Sequence, residues 1–280
     1  MSTLKPGLYI VSTPIGNLDD ITLRSLEVLK KSDIILCEDT RRSLKLLNHY
    51  KIKKKLVSYH KFNEQKELQK VIEHLNEGKI LSLISDAGTP TLSDPGLLLV
   101  RKCIEKNIEI SPIPGASAIT SAVSISGFND KFLFYGFLPK TENDLIKTIN
   151  SLKNINYSLV FFVPGIKINF YLKFFKEYFL GRNILISREI SKIHETFYRD
   201  KISTIKLFKT PPKGELTIVI SKIYTNNDQK LDIDISVEAA EYLKKYSLKD
   251  VVELISKKEK VSKRKVYEIC LKIKNDKKNN

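Results

Sequence analysis

Short apolar runs alternate with longer amphipathic stretches through the first 115 residues of the chain. The apolar runs have the length of buried strands, and the stretches between them repeat apolar residues at the spacing of one helix face. This alternation is typical of a mostly parallel sheet with helices on both faces. The predicted strands are residues 8–12, 33–37, 55–59, 79–85 and 108–113, and the predicted helices are residues 21–31, 40–50, 63–77 and 95–107.

From about residue 131 the pattern changes, because strand-like runs follow one another with fewer helices between them. This predicts a second α/β lobe with a mixed sheet. A stretch rich in small and apolar residues, 115–127, predicts a helix that joins the two lobes. The predicted strands of the second lobe are residues 131–138, 157–163, 183–189, 194–200 and 214–221, with helices near 142–152 and 167–180.

The last part of the chain predicts a small helical module. Residues 224–235 are polar and are typical of a linker, and three patterns of i, i+3, i+4, i+7 spacing follow. We therefore expect an N-terminal α/β lobe at 1–115, a second lobe at 116–223, and a linker with a three-helix, helix-turn-helix-like module at 224–280. The apolar positions of the three patterns are Ala239, Tyr242, Leu243, Tyr246; Leu248, Val251, Val252, Ile255; and Val266, Ile269, Cys270, Ile273.

Composition narrows the class of protein. Hydrophobic residues make up 42% of the chain, which is enough to form buried cores. No apolar run approaches the roughly 20 residues of a membrane helix, and the N-terminus lacks the apolar segment of a signal peptide. Three dispersed cysteines fit neither a disulfide framework nor the paired spacing of a zinc site. We expect a cytoplasmic, reduced protein with no metal site and no membrane segment.

The net charge of +16 has two interpretations. Lys and Arg that neutralise phosphates dominate nucleic-acid binding, but only eight of the 48 basic residues are Arg, and a biased genome composition also produces a lysine-rich chain. The positive charge is densest at 257–278, a segment that contains ten Lys or Arg and three Asp or Glu. This tail is a candidate nucleic-acid contact or, alternatively, a solvated charged surface.

The segment "SDAGTPTLSDPG" (85–96) follows a predicted strand and resembles a ligand-binding loop. It lacks the lysine of a phosphate-binding loop and carries two aspartates. A carboxylate ~4 Å from a phosphate would be repelled by about 4 kcal/mol at an effective dielectric near 20. Hydroxyls or a cation suit Asp86 better, and S-adenosylmethionine offers a ribose diol, an ammonium group and a sulfonium. For Asp94 we expect only a capping role, with Pro95 as the first helical residue.

Polar clusters also follow the other predicted strands, at residues 13–20, 38–43, 60–65 and 114–118. In open α/β sheets, ligands bind at the carboxyl ends of the strands, where these loops come together. A single cluster is explained by helix capping and turn chemistry, but five at one edge predict a binding site.

The longer motifs resemble the ribosomal RNA small-subunit methyltransferase I family of the tetrapyrrole-methylase-like, class III methyltransferases. The resemblance covers about residues 7–222 and is carried by "LYIVSTPIGNLDDITLRSLEVLKKSDIILCEDTR", "HKFNEQ", "SDAGTPTLSDPG", "PGASA", "SREISKIHET" and "KGELTIVI". It implies methyl transfer from S-adenosylmethionine to the ribose 2′-hydroxyl of a cytidine in the decoding centre of 16S ribosomal RNA, in the small subunit. It also implies a cofactor cleft between two lobes, a homodimer, and a C-terminal extension that matches the basic tail.

Matched positions carry the family's cofactor contacts onto this chain. The resemblance implies that the following residues bind the cofactor: Pro14, Asp86, Ala87, Gly88, Thr89, Ser117 and Ala118. One stretch departs from the family, which has Phe-Tyr-Glu-Ser and then Arg at the end of a second-lobe strand. Here Val163 and Pro164 replace the Glu and Ser, and Lys167 replaces the Arg.

Methyl transfer to a ribose hydroxyl calls for a general base, which typically contributes 10²–10⁴-fold to the rate. Asp39, Glu189 and Lys192 are the predicted catalytic residues, and Glu38, His60, Glu64 and Glu195 are further candidates for the base. The residues predicted to contact RNA are Arg41, Arg42, His60, Asn63 and Arg188. Simpler roles stay open: Glu38 and Asp39 as helix caps, His60 as a turn residue, and Arg188 with Glu189 as an internal ion pair.

Two other functions fit the same sequence. One is a methyltransferase of this superfamily that acts on a tetrapyrrole or another small molecule. The other is an RNA-binding ribosome-assembly factor whose catalytic site has decayed, which only the altered stretch 161–167 supports.

Overall fold

The first sheet is parallel, as the alternating pattern predicts. The computed structural model describes residues 4–128, 130–223, 235–259 and 261–276. The first five strands lie in the order β3-β2-β4-β1-β5, and every neighbouring pair is parallel. They are β1 (Gly7–Val11), β2 (Ile34–Cys37), β3 (Lys55–Ser58), β4 (Ile80–Ile84) and β5 (Ile110–Ile113). The helices between them are α1 (Leu23–Lys31), α2 (Thr40–His49), α3 (Glu64–Asn76) and α4 (Leu97–Glu105).

Both faces of this sheet are buried. In β2, Ile34 and Leu36 pack with residues of α3 and α4, whereas Ile35 and Cys37 pack with residues of α1 and α2. Since side chains alternate along a strand, a strand buried on both faces is apolar throughout. Because all five strands are parallel, their carboxyl ends lie at one edge of the sheet, and the polar loops meet there.

The second sheet is mixed, which confirms the predicted change of architecture. Its strands lie in the order β6-β7-β10-β8-β9; β6 and β7 are parallel and the other pairs antiparallel. The strands are β6 (Phe132–Phe137), β7 (Ser158–Pro164), β8 (Asn183–Arg188), β9 (Thr196–Lys201) and β10 (Glu215–Ile220). The helices that precede or interrupt them are α5 (Ala118–Ser126), α6 (Glu142–Leu152) and α7 (Ile168–Tyr178).

The altered stretch 161–167 lies where β7 ends. Val163 is fully buried in the core that α6 and α7 form with the sheet, on the same face as Phe161. Phe162 points to the opposite face, toward α5. The position at which the family has Glu is thus an apolar core position here, and Lys167 precedes the first residue of α7.

The chain divides into two compact units, Met1–Lys222 and Ile223–Asn280. Both sheets belong to the first unit. In the second unit, residues 235–242 form α8, followed by α9 (Leu248–Lys258) and α10 (Lys263–Asp276). The three predicted helices are confirmed, except that α8 ends before Tyr246, and their apolar positions form one core. Most of the predicted linker, residues 224–234, lies outside the described residues. Along the described chain, no helix is both long and apolar enough to cross a membrane.

Candidate active site

A cavity of about 410 Å³ opens within the first unit, between the carboxyl edge of the parallel sheet and strands β6, β7, β8 and β10 of the mixed sheet. The segments after β1, β2, β4 and β5 reach it, whereas the segment after β3 contributes no lining residue; strand residues of the mixed sheet and the segment after β8 complete the lining. The lining residues are Ile15, Glu38, Arg42, Asp86, Ala87, Gly88, Thr89, Leu92, Ser93, Asp94, Ser117, Ala118, Ile119, Phe137, Phe162, Ser187, Glu189, Ile190, Lys192, Glu215 and Thr217.

Carboxylates give this cavity a negative character. Glu38, Asp86, Asp94 and Glu215 all line it, although the protein as a whole is strongly basic. Burial, followed by the nearby charge of Glu38, raises the pKa of Asp94 to about 7. Burial and the charge of Asp86 also raise the pKa of Glu38. For Glu38 and Asp94, repulsion and burial both oppose ionisation, so a bound cation would relieve an electrostatic cost that these two carboxylates carry.

Asp86 lies at the centre of this group. One carboxylate oxygen is 3.1 Å from Arg42 Nη1, and the other accepts the backbone N–H of Asp39 at 3.2 Å. Ala87, Gly88 and Thr89 follow it along the cavity wall. The segment 86–89, which the sequence predicts to bind the cofactor, therefore forms part of the cavity wall.

The prediction that Asp94 serves only as a helix cap is wrong. Asp94 does not cap a helix that begins at residue 95, because α4 begins at Leu97 and its N-cap is Gly96, whose φ of 116° favours glycine. Thr91 and Ser93 also have positive φ values, so the segment continues as a tight irregular loop. That loop turns Asp94 into the cavity, where it lies near Glu38.

Close backbone packing fixes the loops of the first lobe to one another. Thr13 and Gly88 exchange two backbone hydrogen bonds of 2.9 and 3.0 Å, and the hydroxyls of Ser12 and Thr89 lie 2.9 Å apart. Gly115 approaches Ser12 so closely that an added Cβ would lie 2.8 Å from Ser12 Cβ. The three loops after β1, β4 and β5 thus form one rigid wall.

The second lobe brings two predicted catalytic residues to the opposite wall. Glu189 Oε1 accepts a hydrogen bond from Lys192 Nζ at 2.9 Å, and both residues line the cavity. Glu189 has a φ of 51°, and its carboxylate packs against Gly214, where any Cβ would collide with it. Gly16 of the first lobe allows equally close passage of the Lys192 side chain. Small residues on both lobes therefore hold this ion pair in place.

The segment that carries Glu189 and Lys192 is also tied to the first lobe. The Ser191 hydroxyl donates to the carboxylate of Asp20 and accepts the backbone N–H of Asn17 at 3.3 Å. Glu195 accepts the Ser191 backbone N–H at 2.7 Å, so it closes the turn of this segment.

The third predicted catalytic residue, Asp39, is a helix cap. Its carboxylate accepts the backbone N–H of Arg41 at 2.9 Å and pairs with the guanidinium of the same residue. These hydrogen bonds hold the pKa of Asp39 far below its ordinary value, which makes its carboxylate a weak base. It is also absent from the cavity lining, where the neighbouring Glu38 lies instead.

The other predicted cofactor contacts divide into two groups. Ser117 and Ala118 line the cavity at the N-terminal end of α5, where the backbone N–H groups of the first turn have no acceptor within the helix. Pro14 is buried, and its neighbour Ile15 lines the cavity in its place.

The residues predicted to contact RNA differ in their exposure to solvent and in the hydrogen bonds that they already make. The side chains of Arg41 and Arg42 are 87% and 68% exposed, although each pairs with an aspartate. Asn63 is used inside a turn, since its amide group bonds the backbone of His60 and Ser58. The Nε of Arg188 is buried without a hydrogen-bond partner among the described residues, and Glu189 pairs with Lys192 instead of Arg188.

Sequence reasoning missed most of the second-lobe wall: Phe137, Phe162, Ser187, Glu215 and Thr217. These residues lie on strands, where periodicity predicts burial but not which face borders a cavity. Ser187 is informative, because its hydroxyl is fully buried without a partner among the described residues and yet lines the cavity. A buried hydroxyl without a partner is costly, so this one suits a ligand that supplies a hydrogen bond.

Comparison with known proteins identifies the class of enzyme to which this fold belongs. The family described as Tetrapyrrole (Corrin/Porphyrin) Methylases matches residues 7–206, which include both sheets apart from β10. A solved structure of a diphthine synthase has the same fold, with a TM-score of 0.61 and 14% identity over 80% of this chain and 93% of that one.

Curated relatives define the group within that class. The ribosomal RNA small subunit methyltransferase I of Thermotoga maritima is 46% identical over 217 residues, which is 76% of this chain and 97% of the relative. The protein of the same name from Rickettsia prowazekii is 41% identical over 271 residues, covering 95% of this chain and 96% of the relative. The chain belongs to the ribosomal RNA small subunit methyltransferase I family.

Enzymes of this class use S-adenosylmethionine as the methyl donor, and it is the cofactor of this chain. The cavity fits such a group in two respects. Its carboxylates suit a molecule with a positive sulfonium and an ammonium, and the hydroxyl of Ser187 offers an unused hydrogen bond. Residues 86–89 and the start of α5 would hold the cofactor from the first lobe.

Proposed function

We propose that the protein methylates the ribose 2′-hydroxyl of a cytidine in the decoding centre of 16S ribosomal RNA, using S-adenosylmethionine. The observation that carries the proposal is an acidic cavity in a chain 41–46% identical to two relatives named for small-subunit ribosomal RNA methylation. The choice of a cytidine and of its 2′-oxygen rests on the motif resemblance. The proposed place of action is the cytoplasm, with the small ribosomal subunit as partner and the enzyme as a homodimer.

When bound, S-adenosylmethionine supplies a methyl group on a positively charged sulfur. In the proposed reaction the ribose oxygen forms a bond to that methyl carbon as the carbon–sulfur bond breaks, and the hydroxyl proton passes to a base. Positioning of the oxygen in line with the methyl carbon accounts for much of the rate in such reactions. The rigid wall formed by the loops around Ser12, Gly88 and Gly115 is suited to that positioning.

We assign the base to Glu189. Its carboxylate lines the cavity and is held by Lys192 on one side and by Gly214 on the other. Lys192 would orient the carboxylate and offset negative charge that develops on the ribose oxygen. Asp39 is better suited to stabilise α2 and to present its N–H to Asp86.

The RNA contacts are proposed for Arg41 and Arg42, whose exposed guanidinium groups suit phosphates. The basic three-helix module is a further contact. The Thermotoga maritima relative aligns over 97% of its length with only 76% of this chain, so most of that relative corresponds to the first unit. We therefore place the reaction in the first unit and give the module a role in RNA affinity alone.

A substrate comparison tests the proposal. Purified protein with labelled S-adenosylmethionine would be offered small ribosomal subunits, large subunits and a uroporphyrin in parallel. We expect label in the 16S RNA of the small subunit alone. Label in the tetrapyrrole would establish the small-molecule alternative, and cofactor binding without transfer to any substrate would favour a non-catalytic assembly factor.

A further inference from the structure

Phe62 is an aromatic side chain that the fold leaves almost entirely in water. It is 94% exposed, in the loop between β3 and α3. Single exposed apolar residues are common on protein surfaces and need no explanation by themselves. Phe62 differs because its turn is held by hydrogen bonds, contains Lys61, and follows β3, which pairs with the strand whose following loop reaches the cavity.

The turn that carries Phe62 is fixed by its own hydrogen bonds. The Phe62 backbone N–H donates to His60 Nδ1 at 3.2 Å, and the His60 N–H donates to Asn63 Oδ1 at 2.7 Å. The Asn63 amide donates in turn to the carbonyl of Ser58 at 2.9 Å. The His60 ring lies edge-on to the Phe62 ring, with centroids 6.0 Å apart. The ring of Phe62 is therefore presented by an ordered turn, so little conformational entropy is lost when it binds a partner.

The turn leaves the parallel sheet beside the start of α2. Strands β3 and β2 are neighbours, and the loop after β2 contributes Glu38 to the cavity. The Glu64 carboxylate, two residues after Phe62, accepts the backbone N–H of Gly96 at 3.3 Å, which ties the turn to the loop that carries Asp94. The turn thus stands next to the acidic end of the cavity in which we place methyl transfer.

Exposed cations lie in the turn itself and at the start of the neighbouring helix α2. Lys61 is exposed and directly precedes Phe62, and α2 begins with Arg41 and Arg42, whose side chains are largely exposed. An apolar protein partner has no need of such charges. Single-stranded RNA has phosphates for the cations and unstacked bases whose faces pack on aromatic rings.

We propose that Phe62 is a platform on which an unpaired base of the RNA substrate stacks, close to the nucleotide that receives the methyl group. This inference rests on the proposed function and names a contact that holds the RNA beside the cavity. Leu23 and Ile193 are similarly exposed, at 86% and 97%, but lack a ring and cannot serve in this way.

The chain contains no tryptophan, which makes a direct test possible. Phe62→Trp introduces a single indole fluorophore at the proposed platform. Leu180→Trp is the matched control, because Leu180 is 64% exposed and lies before β8, at the opposite end of that strand from Glu189. Each variant would be titrated with small ribosomal subunits that lack the modification, in the presence of S-adenosylhomocysteine. We expect base stacking to quench the indole emission of Phe62→Trp, with the control emission changed only by light scattering.

Steady-state kinetics complete the test. Phe62→Ala should raise the KM for small subunits about tenfold, as loss of one base–aromatic stack ordinarily does. The variants with Tyr or Trp should restore the wild-type KM, and the Kd for S-adenosylmethionine should stay unchanged in all three.

Two results would overturn the platform. One is indole emission of Phe62→Trp that rises and shifts to the blue, since that indicates burial against apolar protein surface. The other is a wild-type KM for Phe62→Ala. If wild-type enzyme transfers no methyl to small subunits, the proposed function fails, but the quenching titration still tests RNA stacking on its own.

Discussion

Replacement of Asp94 by Asn tests whether the acidic cavity is built for a cation. Burial and the charges of Glu38, Asp86 and Glu215 raise the pKa of Asp94 to about 7. A carboxyl with this pKa is about one tenth ionised near pH 6 and about nine tenths ionised near pH 8. If the ionised form is the one that binds the sulfonium, the affinity for S-adenosylmethionine should rise about tenfold over that interval.

The assay is calorimetric titration at several pH values, with two controls. S-adenosylhomocysteine has a neutral sulfur, so its affinity should change much less with pH. Asp94→Asn cannot ionise at this position, so its affinity for S-adenosylmethionine should stay near the weak, low-pH value of the wild type. An equal pH dependence for both ligands, or an unchanged pH dependence in the Asn variant, would refute the electrostatic reasoning.

The same substitution has a consequence for stability. The pKa of Asp94 is higher in the folded protein than its ordinary 3.8, so the folded state favours the protonated form. The contribution of Asp94 to the free energy of unfolding is fully present below about pH 4, and it is lost as pH rises through about 7. Ligand-free Asp94→Asn should therefore be more stable than wild type by about 2 kcal/mol near pH 8, after allowance for partial exposure, and equally stable near pH 4. Urea denaturation at both pH values measures this difference.

Three further substitutions separate chemistry from architecture. Glu189→Gln should lower the single-turnover rate with saturating cofactor by about 10²–10⁴-fold; a loss below tenfold would remove it as the base. Gly214→Ala should lower the same rate, because its Cβ would displace the Glu189 carboxylate and its φ of 91° disfavours alanine; unchanged kinetics would contradict that packing. Asp39→Ala should lower the free energy of unfolding through loss of the α2 cap and lower the rate less than tenfold; a loss of rate comparable to that of Glu189→Gln would restore Asp39 as the base.

Most of the fold could be predicted from periodicity. The strands of the first sheet are apolar on both faces, as in β2, and such runs leave little choice of structure. The start of α4 could not be predicted in this way, because Asp-Pro before a helix ordinarily indicates a cap. Positive φ values at Thr91, Ser93 and Gly96 shift the start to Leu97, and they depend on tertiary packing of the loop.

Most of the first-lobe wall of the candidate site was predictable, whereas only Glu189 and Lys192 were predicted on the opposite wall. Loops after parallel strands collect at one edge, so the chain itself places Asp86 and Ser117 near each other. The opposite wall depends on how the mixed sheet faces that edge. Alternation along β7 shows that Phe162 and Val163 point to opposite faces, but it does not say which face borders a cavity. The sequence also does not show which of two adjacent carboxylates borders the cavity. In the structure Asp39 caps α2, and Glu38 lines the cavity.

Ribose-methylation mapping of small-subunit RNA tests the central claim most directly. RNA from cells with the gene, without it, and with a Glu189→Gln copy would be compared nucleotide by nucleotide. The account predicts a single 2′-O-methylated cytidine in the decoding centre that is present with the wild-type gene and lost or strongly reduced in the other two. An identical ribose-methylation pattern in all three strains, or loss of a base methylation instead, would contradict it.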